Sequence, residues 1–138
     1  MKKALATLIL VFAAPTTYAD FSVQHPIHGR WAWTFERNSC TEVYHFKSDN
    51  TAQVTSGAEI SENRFTLSDK PDQNGFYRMT DVVTKSNGQT GCDGAAGGTP
   101  VGDEVTNYLI LNATRDKLLI CGDASLNQCF GPLQRVGK

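Results

Sequence analysis

The stretch EVYHFKSDNTAQVTS, residues 42–56, is typical of a β-hairpin. Its first part alternates, so that Glu42, Tyr44 and Phe46 share one side of an extended chain. Turn-forming residues at positions 48–50 then separate it from a second β-rich segment. Two aromatic side chains on the same side indicate that this side faces the interior. We therefore predict a pair of antiparallel strands whose aromatic side chains point inward.

Further β-rich segments flank this hairpin, at spacings near ten residues and with turn formers between them. Residues 89–102 are rich in glycine and have no periodicity, so we predict a long flexible loop there. This pattern predicts an all-β fold, an antiparallel up-and-down meander of about eight strands that closes into a barrel or a flattened barrel, with a sandwich as the alternative. The expected strands are residues 31–36, 42–47, 51–56, 64–68, 76–85, 106–111, 117–121 and 130–136.

An acidic residue shares the inward side of the first hairpin strand. If Glu42 points inward, its charge needs a partner or water, which is consistent with a polar end to a barrel cavity. If it lies at the strand end near the rim, it is solvated instead. We favour the solvated position, because lone carboxylates are seldom fully buried.

The N-terminal segment has the features of a secretory signal peptide. Two positive charges, Lys2 and Lys3, precede an apolar run at residues 4–14, and Ala19 is a suitable small residue at a cleavage site. The apolar run is shorter than the ~20 residues that a transmembrane helix needs, so we expect no stable membrane insertion. The predicted organisation is a signal peptide at residues 1–19, an N-terminal arm at residues 20–28 and one β domain at residues 29–138.

The formal net charge limits the classes of partner that we expect the protein to bind. After the predicted cleavage site the chain has eleven Lys and Arg against fourteen Asp and Glu, a formal net charge of −3. A nucleic-acid-binding domain usually presents a basic patch, and so does a protein that binds an anionic membrane surface. We therefore expect no nucleic acid as a partner.

Four cysteines, Cys40, Cys92, Cys121 and Cys129, all follow the predicted cleavage site. An even number in a small exported protein predicts two disulfide bonds and a periplasmic or secreted location. Of the three possible connectivities we favour Cys121–Cys129, which are close in sequence, and Cys40–Cys92, which would pin the early hairpin to the glycine-rich loop. A metal site is the alternative, but no C-x-x-C spacing is present and we predict no metal.

Two features at the ends of the β-rich region match a known family. Gly29-x-Trp31 opens the first strand, and Arg135 lies near the end of the last strand. This layout resembles the small bacterial lipocalin-like (calycin) exported domains. The resemblance implies an eight-stranded barrel in which the arginine packs over the indole at the closed end. It further implies that Gly29, Trp31 and Arg135 have structural roles.

No motif for catalysis or for a cofactor is present. The chain has no G-x-S-x-G, no H-E-x-x-H, no phosphate-binding loop and no EF-hand loop, so we expect no enzyme, no catalytic residue and no cofactor. His25 and His28 are expected to be ordinary exposed histidines of the arm. The acids Asp93, Asp103 and Glu104 could together bind calcium, but their spacing fits no known loop.

The aromatic residues decide the predicted function. In a closed sheet they form either a packed core or the wall of an apolar pocket. The predicted ligand-binding residues are Glu42, Tyr44, Phe46, Tyr77 and Tyr108. The favoured function is an exported, lipocalin-like binding module for a small apolar ligand. The alternative is a periplasmic protein-interaction factor, such as a hydrolase inhibitor or immunity protein, because a disulfide-stapled scaffold with long loops suits that role.

Overall fold

A computed structural model of the chain describes residues 24–137. These residues form eight antiparallel strands joined in chain order, and the first strand pairs with the last to close a barrel. The predicted all-β meander is therefore confirmed, in its closed-barrel form. The strands are β1 (Gly29–Thr34), β2 (Thr41–Phe46), β3 (Thr51–Ser56), β4 (Glu59–Leu67), β5 (Phe76–Ser86), β6 (Glu104–Leu111), β7 (Lys117–Cys121) and β8 (Cys129–Val136).

Strand β4 differs most from the sequence-based prediction. It begins at Glu59, whereas the sequence predicted a start at residue 64. A two-residue turn at Gly57-Ala58 connects it to β3, and the φ of 58° at Gly57 suits such a hairpin turn. The buried side chains at this end of β4 are polar, including Ser61 and Asn63. Apart from Ile60, polar residues therefore occupy both sides of this end of β4, and without alternation of apolar and polar residues the segment carries no strand signal in the sequence.

One half of the barrel is packed with side chains. The indole of Trp31 is fully buried in the centre of this half, and its Nε1 donates a hydrogen bond of 2.9 Å to the carbonyl of Ile27, which precedes β1. The rings of Phe46 and Phe65 meet edge to face, with centroids 5.6 Å apart. Within residues 24–137, the largest fully buried side chains are Ile27, Trp31, Phe46, Phe65, Met79, Leu109, Leu118 and Leu133, with Cys121.

Arg135 closes this packed end of the barrel. Its guanidinium carbon lies 4.0 Å from the centroid of the Trp31 ring, which is the arrangement that the lipocalin resemblance implies. The same guanidinium donates hydrogen bonds to the carbonyl oxygens of Pro26, His28 and Arg115 at 2.6, 2.9 and 2.9 Å. It therefore connects β8 to the N-terminal arm and to the turn between β6 and β7.

The backbone conformation at position 29 and the nearby Arg135 guanidinium explain why this residue is a glycine. Its φ is 127°, a conformation that residues with a side chain rarely adopt. A Cβ atom added there would lie only 2.7 Å from Nη1 of Arg135. The glycine of the Gly-x-Trp motif thus leaves room for the arginine that covers the tryptophan.

Both favoured disulfide bonds are confirmed. Cys40 is bonded to Cys92, and Cys121 is bonded to Cys129. Cys92 belongs to the long loop between β5 and β6, so this bond ties that loop to the start of β2. Both bonds lie at the open end of the barrel, opposite Arg135. Two disulfides in one small domain are typical of an oxidising, extracytoplasmic compartment.

The predicted signal peptide and its cleavage site lie outside the described residues. Residues 24–28 of the predicted arm are described, and they pack against the closed end of the barrel. Nowhere in residues 24–137 does a helix have the length and apolar character needed to cross a membrane.

We predict that Arg135→Ala destabilises the barrel by about 2–4 kcal/mol, because it removes hydrogen bonds from a charged donor together with the cation–π contact. Urea denaturation followed by tryptophan fluorescence measures the free energy of unfolding. Arg64→Ala is the matched control, since Arg64 is exposed on the outer face of β4. Equal stability of the two variants would contradict the role of Arg135.

The two disulfides differ in the length of chain that they close, 52 residues for Cys40–Cys92 and 8 for Cys121–Cys129. In the chain-entropy model, the longer loop gains more stability from its bond, by about 1.5 kcal/mol. We expect the Cys40→Ser/Cys92→Ser variant to unfold at lower urea concentration than Cys121→Ser/Cys129→Ser. The reverse order would show that native packing, and not loop closure, sets the contribution of each bond.

Candidate functional site

The half of the barrel toward the open end encloses a cavity of about 280 Å³. Strands β2 to β8 all contribute to its wall, and two residues of the loop between β5 and β6 contribute at the mouth. The volume is near the lower end of the range of small-molecule pockets, which is about 300–1,000 Å³. A wider depression of about 850 Å³ lies on the outer surface, between the end of β1 and the start of β8.

Glu42 is part of the cavity wall and has two hydrogen-bond donors. Its Oε2 accepts a bond of 2.6 Å from the Tyr44 hydroxyl, and its Oε1 accepts one of 2.7 Å from Ser56 Oγ. Burial, together with the nearby Glu42 carboxylate, raises the pKa of the Tyr44 phenol, so this hydroxyl stays a neutral donor. Glu42 lies at the start of β2 near the rim, as favoured, but it is half-buried instead of fully solvated, and these donors hold its charge.

A second acidic group lies deeper in the wall, on the neighbouring strands β4 and β5. Asn63 Nδ2 donates a hydrogen bond of 2.7 Å to Asp81 Oδ1. Burial raises the pKa of Asp81 above its ordinary value, although the bond from Asn63 acts in the opposite direction. The other side-chain atom, Asn63 Oδ1, is buried and has no donor among the described residues, while the residue as a whole is 7% exposed.

The loop at residues 87–103 covers part of the mouth. The sequence predicted a flexible loop here; the segment is irregular, and it is anchored by the disulfide at Cys92 and by a hydrogen bond of 2.5 Å from Thr99 N to Glu59 Oε1. A Cβ atom at Gly91 would lie 2.7 Å from Glu59 Oε2. Glycine therefore leaves room for the backbone of this loop beside the carboxylate of Glu59, a residue that is 9% exposed.

The cavity is lined by acids and by no basic side chain. Four carboxylates contribute to its wall, those of Glu42, Glu59, Asp81 and Asp93, and neither Lys nor Arg does. Between residues 24 and 137 a single ion pair forms, Lys85 with Glu62, at 2.8 Å and with both side chains largely exposed. A cleft lined by one sign of charge focuses the electrostatic potential, so this one is negative.

The floor of the cavity is apolar and partly aromatic. Phe46, Met79 and Ile120 separate it from the packed half of the barrel. The ring of Tyr44 lies between two others, with centroids 6.1 Å from Phe46 and 6.3 Å from Phe130. A ligand in the cavity would therefore contact aromatic rings below and carboxylates around the mouth.

The structure brings together three of the five predicted ligand-binding residues. Glu42, Tyr44 and Phe46 line the cavity. Tyr77 lies at the closed end, where its ring packs edge to face against His25 at a centroid distance of 4.9 Å. Tyr108 lies outside the barrel and borders a shallow depression on the outer surface.

Sequence reasoning missed the polar part of the wall. Ser61, Asn63 and Asp81 were not singled out, since each looks like an ordinary surface residue in its own segment. Glu59, Ser61 and Asn63 lie on the same side of an extended chain as the apolar Phe65, but the polar Glu62 and Arg64 between them hide this pattern in the sequence.

The histidines of the arm are placed differently from the expectation. His25 and His28 are half-buried instead of exposed, and His25 Nε2 lies 3.1 Å from the carbonyl oxygen of Ser68. Among the described residues, no three His, Cys, Asp or Glu side chains converge in a way that could hold a metal ion.

Comparison of the chain with protein-family models, with curated proteins and with solved structures gave no significant match. The barrel is therefore established by its strand topology, and the ligand has to be inferred from the side chains of the cavity.

We predict that Asp81→Asn makes the protein more stable at pH 7. The raised pKa of Asp81 means that the folded state holds this proton more tightly than the unfolded chain does. Stability is therefore lost as the pH rises from the ordinary value of 3.8 through the raised pKa, and this loss is absent in the amide variant.

Urea denaturation at several pH values from about 3 to about 8 measures this effect, because this range includes the ordinary pKa of an aspartate and neutral pH. Glu104→Gln is the control, because Glu104 is exposed on β6. If Asp81→Asn follows the same pH dependence as the unmodified protein, burial of Asp81 does not destabilise the fold.

Proposed function

We propose that this protein is an exported, lipocalin-like binding module that holds a small ligand with an apolar body in the barrel cavity. The observation that carries the proposal is the division of the interior. One half is filled by side chains around Trp31, and the other half encloses a cavity with an apolar floor and a polar wall. Small barrels built for stability alone fill their interior with side chains.

The buried polar groups support a binding role. Side chains such as Glu59, Ser61 and Asn63 occupy inward positions of β4, where apolar residues would stabilise the fold more. Local features that cost stability are commonly found at functional sites. These residues surround one cavity. The stability lost by burying them is therefore explained if the cavity binds a ligand.

Binding fits the wall better than catalysis does. The carboxylate of Glu42 is held by the hydroxyl groups of Tyr44 and Ser56, and that of Asp81 by the amide of Asn63. These contacts fix the acceptors in place around the cavity. Fixed polar groups around an apolar floor are the usual composition of a small-molecule site.

The test of this proposal has two parts. Native mass spectrometry of the protein isolated from the cell compartment to which it is exported would detect a retained small molecule. Two-dimensional NMR of the backbone amides would then be recorded with 2-phenylethanol, 2-phenylethylamine and phenylacetate, which share an apolar ring and differ in charge. We expect at least one of these measurements to report a ligand, with shifted amides on β2, β4 and β5 near the open end.

Val54→Phe fills the cavity from β3, and Thr55→Phe adds the same ring on the outer side of that strand. We expect the first variant to weaken binding at least about tenfold by steric exclusion, a loss of ~1.4 kcal/mol or more. The second variant should bind as the unmodified protein does. Absence of any retained molecule and of any shifted amide would refute the binding function.

The second candidate function is that of a periplasmic protein-interaction factor, and the observation that favours it lies on the outer surface. An apolar depression of about 320 Å³ lies between β6 and β7, beside Leu126, whose side chain is 65% exposed. Exposed apolar patches of this kind are common at protein interfaces. A pull-down from envelope extract with the unmodified protein and with Leu126→Glu tests it, and a retained hydrolase that the variant loses would favour this candidate.

A further inference from the structure

We propose that the cavity binds a small organic cation, an amine or guanidinium group that carries N–H donors on an apolar body. This inference rests on the proposed binding function and names the chemistry of its ligand. Three observations support it. A buried hydrogen-bond acceptor has no donor, the carboxylates of the wall have no basic side chain beside them, and the floor of the cavity is aromatic.

The unpartnered acceptor is Asn63 Oδ1. The side chain is more than nine-tenths buried, lines the cavity, and has its Nδ2 engaged by Asp81 at 2.7 Å. That bond orients the amide, because the opposite orientation would bring two oxygen atoms together. Leaving a buried acceptor unsatisfied is costly. Oδ1 has almost no exposed surface, so a ligand N–H reaches it once the Asn63 side chain shifts toward the cavity, and the bond formed then recovers this cost.

The charge of the wall selects among possible donors. The carboxylates of Glu42, Glu59, Asp81 and Asp93 face one small volume without a basic side chain among the lining residues. A neutral hydrogen-bond donor could satisfy Asn63, but it would leave this negative potential unbalanced. An ammonium or guanidinium group satisfies both, since bonds from a charged donor to a carboxylate are about twice as strong as neutral ones.

The aromatic rings complete the site. Tyr44 lies between Phe46 and Phe130, with centroids 6.1 and 6.3 Å away. The face of an aromatic ring attracts a cation and also accepts an apolar ligand body. A ring or short alkyl chain would then lie on the floor while its cationic group points to the acids.

An organic cation fits the arrangement better than a metal ion. A metal ion needs several ligand atoms that converge on one point. In the part of the chain that the structure describes, no group of three His, Cys, Asp or Glu side chains has that geometry. The four carboxylates are spread around the wall, as suits a larger ligand with several N–H donors.

The test compares 2-phenylethylamine, which is protonated at pH 7, with its neutral isostere 2-phenylethanol and with the anion phenylacetate, by isothermal titration calorimetry on the exported protein. We expect the amine to bind at least about tenfold more tightly than the alcohol. We expect no binding of the anion. Calcium chloride is titrated as a fourth probe, and it should neither bind nor displace the amine.

Three carboxylate variants identify the site of binding. Asp81→Asn and Glu42→Gln should each weaken amine binding about tenfold, while Glu104→Gln, on the outer face, should leave it unchanged. If Glu42→Gln fails to fold because two hydrogen bonds are disturbed, Asp81→Asn decides alone. Its expected combination of undiminished stability and lost binding would not arise from a purely structural role.

The outcomes separate the two proposals. Amine binding that Asp81→Asn and Val54→Phe both weaken supports the cation site. If the alcohol or the anion binds as tightly as the amine, and Val54→Phe blocks it, the cation proposal is overturned while the binding function stands. If calcium displaces the amine, the site is a metal site and the cation proposal is overturned. If no probe binds and no retained molecule is found, both proposals fail.

Discussion

The contact of the Arg135 guanidinium with Trp31 and with three backbone carbonyl groups holds the two ends of the barrel sheet together. The sheet closes through only three residue pairs between β1 and β8, against six between β1 and β2. Trp31 and Arg135 are one of those three pairs. The guanidinium thus reinforces the closing ladder at its centre and also holds the arm that covers the end. The packed half of the interior depends on this closure, because Trp31 is the largest side chain within it.

Because the closed end is firmly packed, the barrel tolerates polar side chains inside its open end. The buried apolar side chains cluster around Trp31 and Leu133, whereas the inward positions toward the open end include Glu59, Ser61 and Asn63. Each buried polar group costs free energy unless it is hydrogen-bonded. Among the described residues, two buried side-chain polar atoms have no partner, His28 Nδ1 toward the closed end and Asn63 Oδ1, which we assign to a ligand. The same inward polar residues that weaken the open half therefore create its binding chemistry.

Both disulfide bonds lie at the open end of the barrel, where Cys92 and Cys121 are themselves buried. Cys40–Cys92 fixes the loop that brings Thr99 and Asp93 to the mouth, and Cys121–Cys129 joins the ends of β7 and β8 there. Covalent bonds limit the conformations of the unfolded chain without needing a core around them. They hold the rim in place, so that Glu59 can meet the loop backbone and the cavity keeps its shape. Gly91 leaves room for that close approach, because a Cβ atom there would lie 2.7 Å from Glu59 Oε2.

The sequence by itself determined the class of fold, most strand positions, the closing pair Trp31 and Arg135, and the disulfide pairing that we favoured. These properties follow from local alternation, from turn formers and from a small number of distinctive residues. Only the tertiary structure decided which side chains share the cavity. Alternation assigns residues to two sides of a strand, but it does not say what lies across the barrel or how deep a residue sits. Tyr77 and Tyr108 looked equivalent in the sequence, yet one packs at the closed end and the other faces outward. Likewise, the start of β4 was hidden because its inward residues are polar, and these residues, brought beside Asp81 and Glu42 by closure of the sheet, form the candidate site.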